Sequence, residues 1–240
     1  VIFVIIMAAG HLTGPYTFTT LFLIIAAGCL WEFLGLTLDL HTRRDRIRKI
    51  FGVVLGLLPF VLVTVLKLLN ISDPEAFITI AALMFSPFVF TIFIYELYSN
   101  SKEPFANIAF MILGLFYIGI PFALVNFIAF DGDEFRNRIV FGLLVLTWVN
   151  DTGAYLTGSM IGKTPLFPRI SPKKTWEGSI GGLVTTLFFG WALSFLFDDI
   201  PVTQWLGLAV IVGIFGGLGD LVESMLKRSV DVKDSGNLLP

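Results

Sequence analysis

Apolar residues run along this chain in long blocks separated by short joints that are polar or carry proline. A bilayer core of roughly 30 Å needs about 20 apolar residues per helix. On that ruler seven full membrane segments are predicted, near 17–38, 50–69, 76–97, 106–130, 139–160, 178–197 and 205–227, with a partial one at 1–10 before them. The joints read HLTGPY, DLHTRRDRIRK, NISDPE, YSNSKEP, DGDEFRNR, GKTPLFPRISPKKTWE and DDIPVTQ. The expected fold class is therefore all-α, a polytopic membrane helix bundle of about eight spans. Val1 in place of a methionine, and Pro240 standing in mid-loop, lead us to expect that both ends continue.

Composition agrees with the blocks: 56% of the residues are hydrophobic and 14% charged, more apolar surface than one water-soluble core could hide. The single cysteine, Cys29, lies in an apolar run, so neither a disulfide framework nor a cysteine metal site is expected. A net charge of -2 averages segments of opposite character and points to no nucleic-acid partner.

The distribution of charge says more. Of the 16 basic residues, Arg43, Arg44, Arg46, Arg48, Lys49, Lys102, Lys163, Arg169, Lys173, Lys174, Lys227, Arg228 and Lys233 fall on one side of the predicted topology. Basic residues collect on the cytoplasmic side, so that face is expected to be cytosolic. Glu32, Glu96, Asp151, Asp220 and Glu223 then occupy the cytoplasmic halves of their helices. A carboxylate near the centre of a span costs about 2.5–3.5 kcal/mol on insertion scales, so each needs a reason. Glu32 fits an interhelical hydrogen bond or a functional role, and Glu96 fits a solvated helix end. Asp151 and Asp220 lie about 10–15 Å inside the cytosolic boundary at 1.5 Å per residue, where they need partners.

Asp220, Glu223, Ser224 and Lys227 share one helical face. Gly213, Gly216, Gly217 and Gly219 precede it and would admit a neighbouring helix or a ligand close to the backbone. An acidic face of this kind suits a hard cation such as Mg²⁺, which takes one or two carboxylates and leaves positions for water and phosphate. In ISPKKTWEGSIGG, Ser171 is expected as a helix N-cap and Pro172 at the first helical position, with Lys173, Lys174 and Thr175 in or near the first turn. Two ammonium groups and free backbone N–H groups would make an anion site there, although the lysines alone would also fit the positive-inside rule or contact with anionic lipid heads. Lys227, Arg228 and Lys233 are mixed with Asp231 and Asp234, which suits polyphosphate plus metal better than a purely lipid-binding patch.

The stretch SMLKRSVDVKDSG, Ser224 to Gly236, resembles the signature of the phosphatidate cytidylyltransferases, the CDP-diacylglycerol synthases. Ser224, Lys227, Arg228, Lys233 and Asp234 fill its five polar positions, and GDLVES and SPKKTWEG are similar to further motifs of that family. The motifs cover about residues 140–240, and the family pattern continues beyond Pro240 with further polar segments and a last membrane helix. The resemblance implies transfer of a cytidylyl group from CTP to phosphatidate, with Mg²⁺, in an integral membrane protein whose site faces the cytosol, and it implies a homodimer. On this reading residues 1–138 are N-terminal membrane helices and 139–240 carry the CTP and metal site. Asp220, Asp151 and Asp234 are assigned to the metal; Lys173, Lys174, Lys227, Arg228 and Lys233 to phosphates; Ser171, Thr175 and Ser224 to hydroxyl contacts; Glu177 and Glu223 to their support. A CTP-dependent polyprenol kinase would need the same features. A secondary transporter would use Asp151 and Asp220 as ion sites, but its site must be reachable from both sides.

Overall fold

The computed structural model describes residues 7, 10, 13–38, 43–69, 71, 73–131, 134–230 and 232. Among the described residues, seven helical stretches of 21 to 28 residues are long and apolar enough to cross a membrane, and they make the protein an integral membrane protein of all-α class. The partial segment expected at 1–10 lies outside the described residues, apart from Met7 and Gly10. The chain divides into two compact units, one running to Phe135 and the other beginning at Arg136.

In the first unit, α1 (Pro15–Thr37), α2 (Arg43–Leu68), α3 (Pro74–Ser99) and α4 (Pro104–Gly114) follow one another. Three of the four open on proline, whose fixed φ and missing N–H suit the first helical position. Asp73 caps α3 by accepting a hydrogen bond from the Ala76 N–H at 3.0 Å. After α4 the helix widens into a π-turn at Leu115–Gly119 and resumes as α5 (Ile120–Ile128). Pro121 explains the widening, since it has no N–H to give the regular ladder and its ring crowds the preceding turn. The wide turn also lets two backbones meet: a Cβ at Gly119 would collide with the Gly56 carbonyl oxygen. A two-residue hairpin, β1 (Phe130–Asp131) with β2 (Glu134–Phe135), ends the unit. Phe18, Leu30, Leu34, Leu55 and Phe60 are fully enclosed, whereas α3 leaves Ile80, Leu83, Phe90 and Leu97 uncovered, as a helix facing hydrocarbon can.

Two expectations are corrected here. The basic joint before the second full span is helical from Arg43, which turns Arg48 and Lys49 inward; both are buried. Glu96 is not a solvated helix end. It is 3% exposed and forms a two-pronged ion pair with Arg48, through Nε and through Nη2 at 3.2 Å. Asp45, Ser99 and Asn107 complete the cluster. A guanidinium buried beside hydrocarbon needs partners for its N–H groups, and each of the three Arg48 nitrogens has at least one here. Lys49 lies over the Trp31 ring, 4.0 Å from its centre.

The second unit contains α6 (Asn137–Ile161), a β-hairpin of β3 (Pro165–Phe167) and β4 (Ser171–Thr175), α7 (Trp176–Leu196) and α8 (Val202–Ser229). Leu146, Leu193, Trp205 and Ala209 form its core. The Trp205 indole fills the space beside Gly142 and donates to the Phe197 carbonyl at 3.3 Å. Gly190 lies against Ala209 and the Trp205 backbone, and Gly213 against Leu183. Small residues at these crossings let the three helices pack by backbone contact, which substitutes for the hydrophobic drive that lipid removes. At one end, Arg138 ties α6 to Asp198 and Asp199 in the α7–α8 loop at 3.6 and 3.8 Å. The candidate site is at the other end.

Candidate active site

The joint read from sequence as irregular, followed by a helix beginning at Pro172, is folded differently. Ser171–Thr175 is a strand antiparallel to Pro165–Phe167, with four steps of β4 opposite two of β3. Proline is tolerated at such an edge because no ladder bond requires its N–H. The expected N-cap at Ser171 is therefore wrong. The cap is Thr175, whose hydroxyl accepts from the Gly178 N–H at 3.2 Å, and α7 begins at Trp176. The helix begins two residues past Lys174, so both lysines stand near its first turn but not in it.

A bulged strand re-aims its side chains, and Lys174 is the one aimed at α8. Its Nζ is 2.9 Å from Asp220 Oδ2 and donates to the Gly217 carbonyl at 3.3 Å. Lys173 is exposed and makes no ion pair among the described residues. Asp151, on α6, lies within electrostatic range of both Asp220 and Lys174. Three residues far apart in sequence and carried on three elements are thus brought together: two carboxylates and one ammonium.

The root of the hairpin is clamped. Glu177, in the first turn of α7, accepts from the backbone N–H of Lys163 at 3.2 Å and of Thr164 at 3.1 Å, and from the Thr164 hydroxyl at 2.8 Å. The Trp176 N–H donates to the Thr164 carbonyl at 2.9 Å. Beneath it, glycines at 158, 162 and 178 bring α6, the hairpin and α7 together around the Thr175 hydroxyl. With α7 anchored to the hairpin in this way, the position of Lys174 depends little on its own flexible stem.

Along α8 the face foreseen from spacing is present, but its two halves differ. Gly213 and Gly216 seat it on Leu183 and Asn150, while Gly217 and Gly219 have nothing within 4 Å of a built Cβ. Asp220 follows this opening and its side chain is 54% exposed, so the acidic face opens outward instead of being half-buried. One turn further, Glu223 holds Lys227 at 2.6 Å. Arg228 is exposed and donates to the Val232 carbonyl at 3.4 Å. Ser224 is half-buried on the same face. Lys233 and Asp234 lie outside the described residues.

Sequence reasoning missed Asn150. It is 3% exposed, accepts from the Thr186 hydroxyl at 3.3 Å, and reaches toward Gly216. That contact locks α6 to α7 one residue before Asp151. The available signal was an amide next to an acid inside an apolar run, since a buried amide must be bonded. The role of the Gly217 carbonyl had no side-chain signal at all.

Over 153 residues the chain is 42% identical to a phosphatidate cytidylyltransferase of Staphylococcus aureus (strain COL), covering 63% of this chain and 57% of that protein. The phosphatidate cytidylyltransferase of Staphylococcus haemolyticus gives the same identity and coverage, and that of Staphylococcus epidermidis is 38% identical over the same shares. The matched region thus spans little more than half of these relatives. The sequence profile of the cytidylyltransferase family matches residues 1–240, and the chain belongs to that family.

Proposed function

We propose that this protein transfers the cytidylyl group of CTP to phosphatidate, releasing pyrophosphate and leaving CDP-diacylglycerol in the membrane. The observation that carries the proposal is the contact of Lys174 with Asp220 at 2.9 Å, with Asp151 in range, at one end of three membrane helices. Relatives named for this activity support it.

The chemistry asks for charge management above all. A phosphate oxygen of phosphatidate attacks the α-phosphorus of CTP; a new P–O bond forms, and the bond to the β-phosphoryl oxygen breaks with its electron pair leaving on pyrophosphate. The attacking phosphate is already anionic at neutral pH, so it needs no protein base. Two anions must nevertheless be held together. Lys174 and Lys227 rest on Asp220 and Glu223, and each can exchange its carboxylate for a phosphate oxygen by turning its stem. Arg228 and Lys173 extend the cationic surface, Lys233 is assigned to phosphates with them, and Ser171, Thr175 and Ser224 are assigned to hydroxyl contacts. The Thr175 hydroxyl already caps α7, so its part is to hold the hairpin.

Mg²⁺ fits the donor set. No group of three or more acidic, histidine or cysteine side chains converges among the described residues. Mg²⁺ does not need one, because one or two carboxylates with water and substrate phosphate complete its octahedron. Asp220 and Asp151 would hold it, with Asp234 a further candidate. When bound, the ion supplies Lewis-acid neutralisation of the phosphates. This end of the second unit also carries Lys163, Arg169, Lys173, Lys174, Lys227 and Arg228, which argues for a cytosolic site, where CTP is available.

The test uses purified protein, phosphatidate, Mg²⁺ and CTP labelled at the α- or the γ-phosphate. Lipid-soluble product carrying α-label, with one pyrophosphate released per lipid, is the expected result. Transfer of γ-label to lipid would replace the proposal with a kinase.

A further inference from the structure

The hairpin of Pro165–Phe167 and Ser171–Thr175 has a second character that the transfer reaction leaves unused. Between Gly162 and Trp176 the chain carries Lys163, Arg169, Lys173 and Lys174 and no acid. Lys174 is engaged by Asp220. The carboxylate nearest in sequence, Glu177, is committed to the backbone and hydroxyl of residues 163 and 164 and does not neutralise the side chains. Lys163 and Arg169 are exposed and form no ion pair among the described residues. Beside them Phe167 is 46% exposed and Trp176 is 54% exposed. Met160 and Ile161, the last two residues of the α6 span, are uncovered as well, so the surface that faces hydrocarbon runs to the base of the hairpin.

A loop meant only for water gains nothing from exposed aromatic rings. Aromatic rings beside unpaired cations, at the point where membrane helices end, are the composition that the interfacial layer selects: rings at the acyl boundary and cations on phosphate. Prolines at 165, 168 and 172 and the clamp at its root stiffen the hairpin, so little order is lost on docking. We propose that this hairpin is embedded in the headgroup layer and binds anionic phospholipid, with Arg169 and Lys163 on the lipid phosphates and Phe167 and Trp176 toward the acyl chains. The proposal stands independently of the transfer reaction.

The test measures depth. Cys29 is the chain's single cysteine, so Cys29→Ser with Phe167→Cys gives one site for a nitroxide label in the whole protein. Pro168→Cys is the second site should the first variant not fold. The protein is reconstituted in phosphatidylcholine bilayers with or without 30% phosphatidylglycerol, and the label's collisions with oxygen are compared with those with a water-soluble nickel chelate. Asp198→Cys, at a side chain 97% exposed in a loop, is the aqueous reference, and Phe188→Cys within α7 is the lipid reference. The expected oxygen-to-nickel ratio for the hairpin lies between the references and rises at least twofold with anionic lipid. Lys163→Gln with Arg169→Gln should abolish that rise. A ratio equal to that at Asp198 in both bilayers overturns the proposal, as does an intermediate ratio indifferent to lipid charge or to the double substitution.

Discussion

Asp220→Asn separates chemistry from folding most sharply. The substitution keeps the shape of the side chain and removes the charge that faces Lys174 at 2.9 Å. The pair is open to its surroundings, with the lysine side chain 28% and the aspartate 54% exposed. Exposed ion pairs contribute about 0.2–1 kcal/mol to stability, so unfolding should shift little. Positive charge held in place by Asp220, on Lys174 or a bound cation, and aimed at a developing anion is worth much more, about 2.7–4 kcal/mol, or 10²–10³ in rate. The expected result is a loss of kcat/KM of that order with a change in unfolding free energy below about 1 kcal/mol. Both are read on one preparation, by transfer of α-label from CTP to phosphatidate and by thermal unfolding in the same detergent. Wild-type turnover in the variant would remove Asp220 from the site. A loss of activity that merely tracks unfolding would make its role structural.

Other expectations follow from the same geometry. Glu96→Ala removes the two-pronged partner of the Arg48 guanidinium and leaves it Asp45 alone among carboxylates, in a site where the Arg48 and Glu96 side chains are 3% exposed or less, and should cost about 3–5 kcal/mol in unfolding free energy. Arg48→Met with Glu96→Leu should cost less than Glu96→Ala alone; a double variant as unstable as the summed singles would contradict the buried-charge account. Gly119→Ala forces a methyl group onto the Gly56 carbonyl and should destabilise by about 1–3 kcal/mol, whereas Gly207→Ala meets nothing within 4 Å and should be neutral or stabilising by up to about 1 kcal/mol. Equal melting shifts for the two would refute the close crossing. Thr175→Val removes the cap of α7 and should cost about 1 kcal/mol, with Thr175→Ser retaining most of it. Activity should fall with Val and hold with Ser, because the cap and the Lys174 strand are adjacent; the opposite order would exclude the cap as the cause.

The membrane spans were legible because bilayer thickness fixes how long an apolar run must be, whatever its neighbours. Every full segment predicted from hydropathy appears as a helix, with ends shifted by a few residues, except at Arg43, where the helix starts earlier. The polar face from Asp220 to Lys227 was legible for a similar reason, since spacing along one helix needs no tertiary information. The conformation of Ser171–Thr175 was not. Ser-Pro opens a helix by local rules, but the same residues pair with Pro165–Phe167, and the Glu177 clamp and the Thr175 cap favour that arrangement. Local signals at 171 and 175 compete, and only partners elsewhere in the chain choose between them. The pairing of Lys174 with Asp220, the burial of Arg48 against Glu96 and the contact of Gly119 with Gly56 likewise join residues far apart in sequence. Which acid receives which base depends on how helices cross, and helix crossing is set by packing in three dimensions, a quantity that no one-dimensional period encodes.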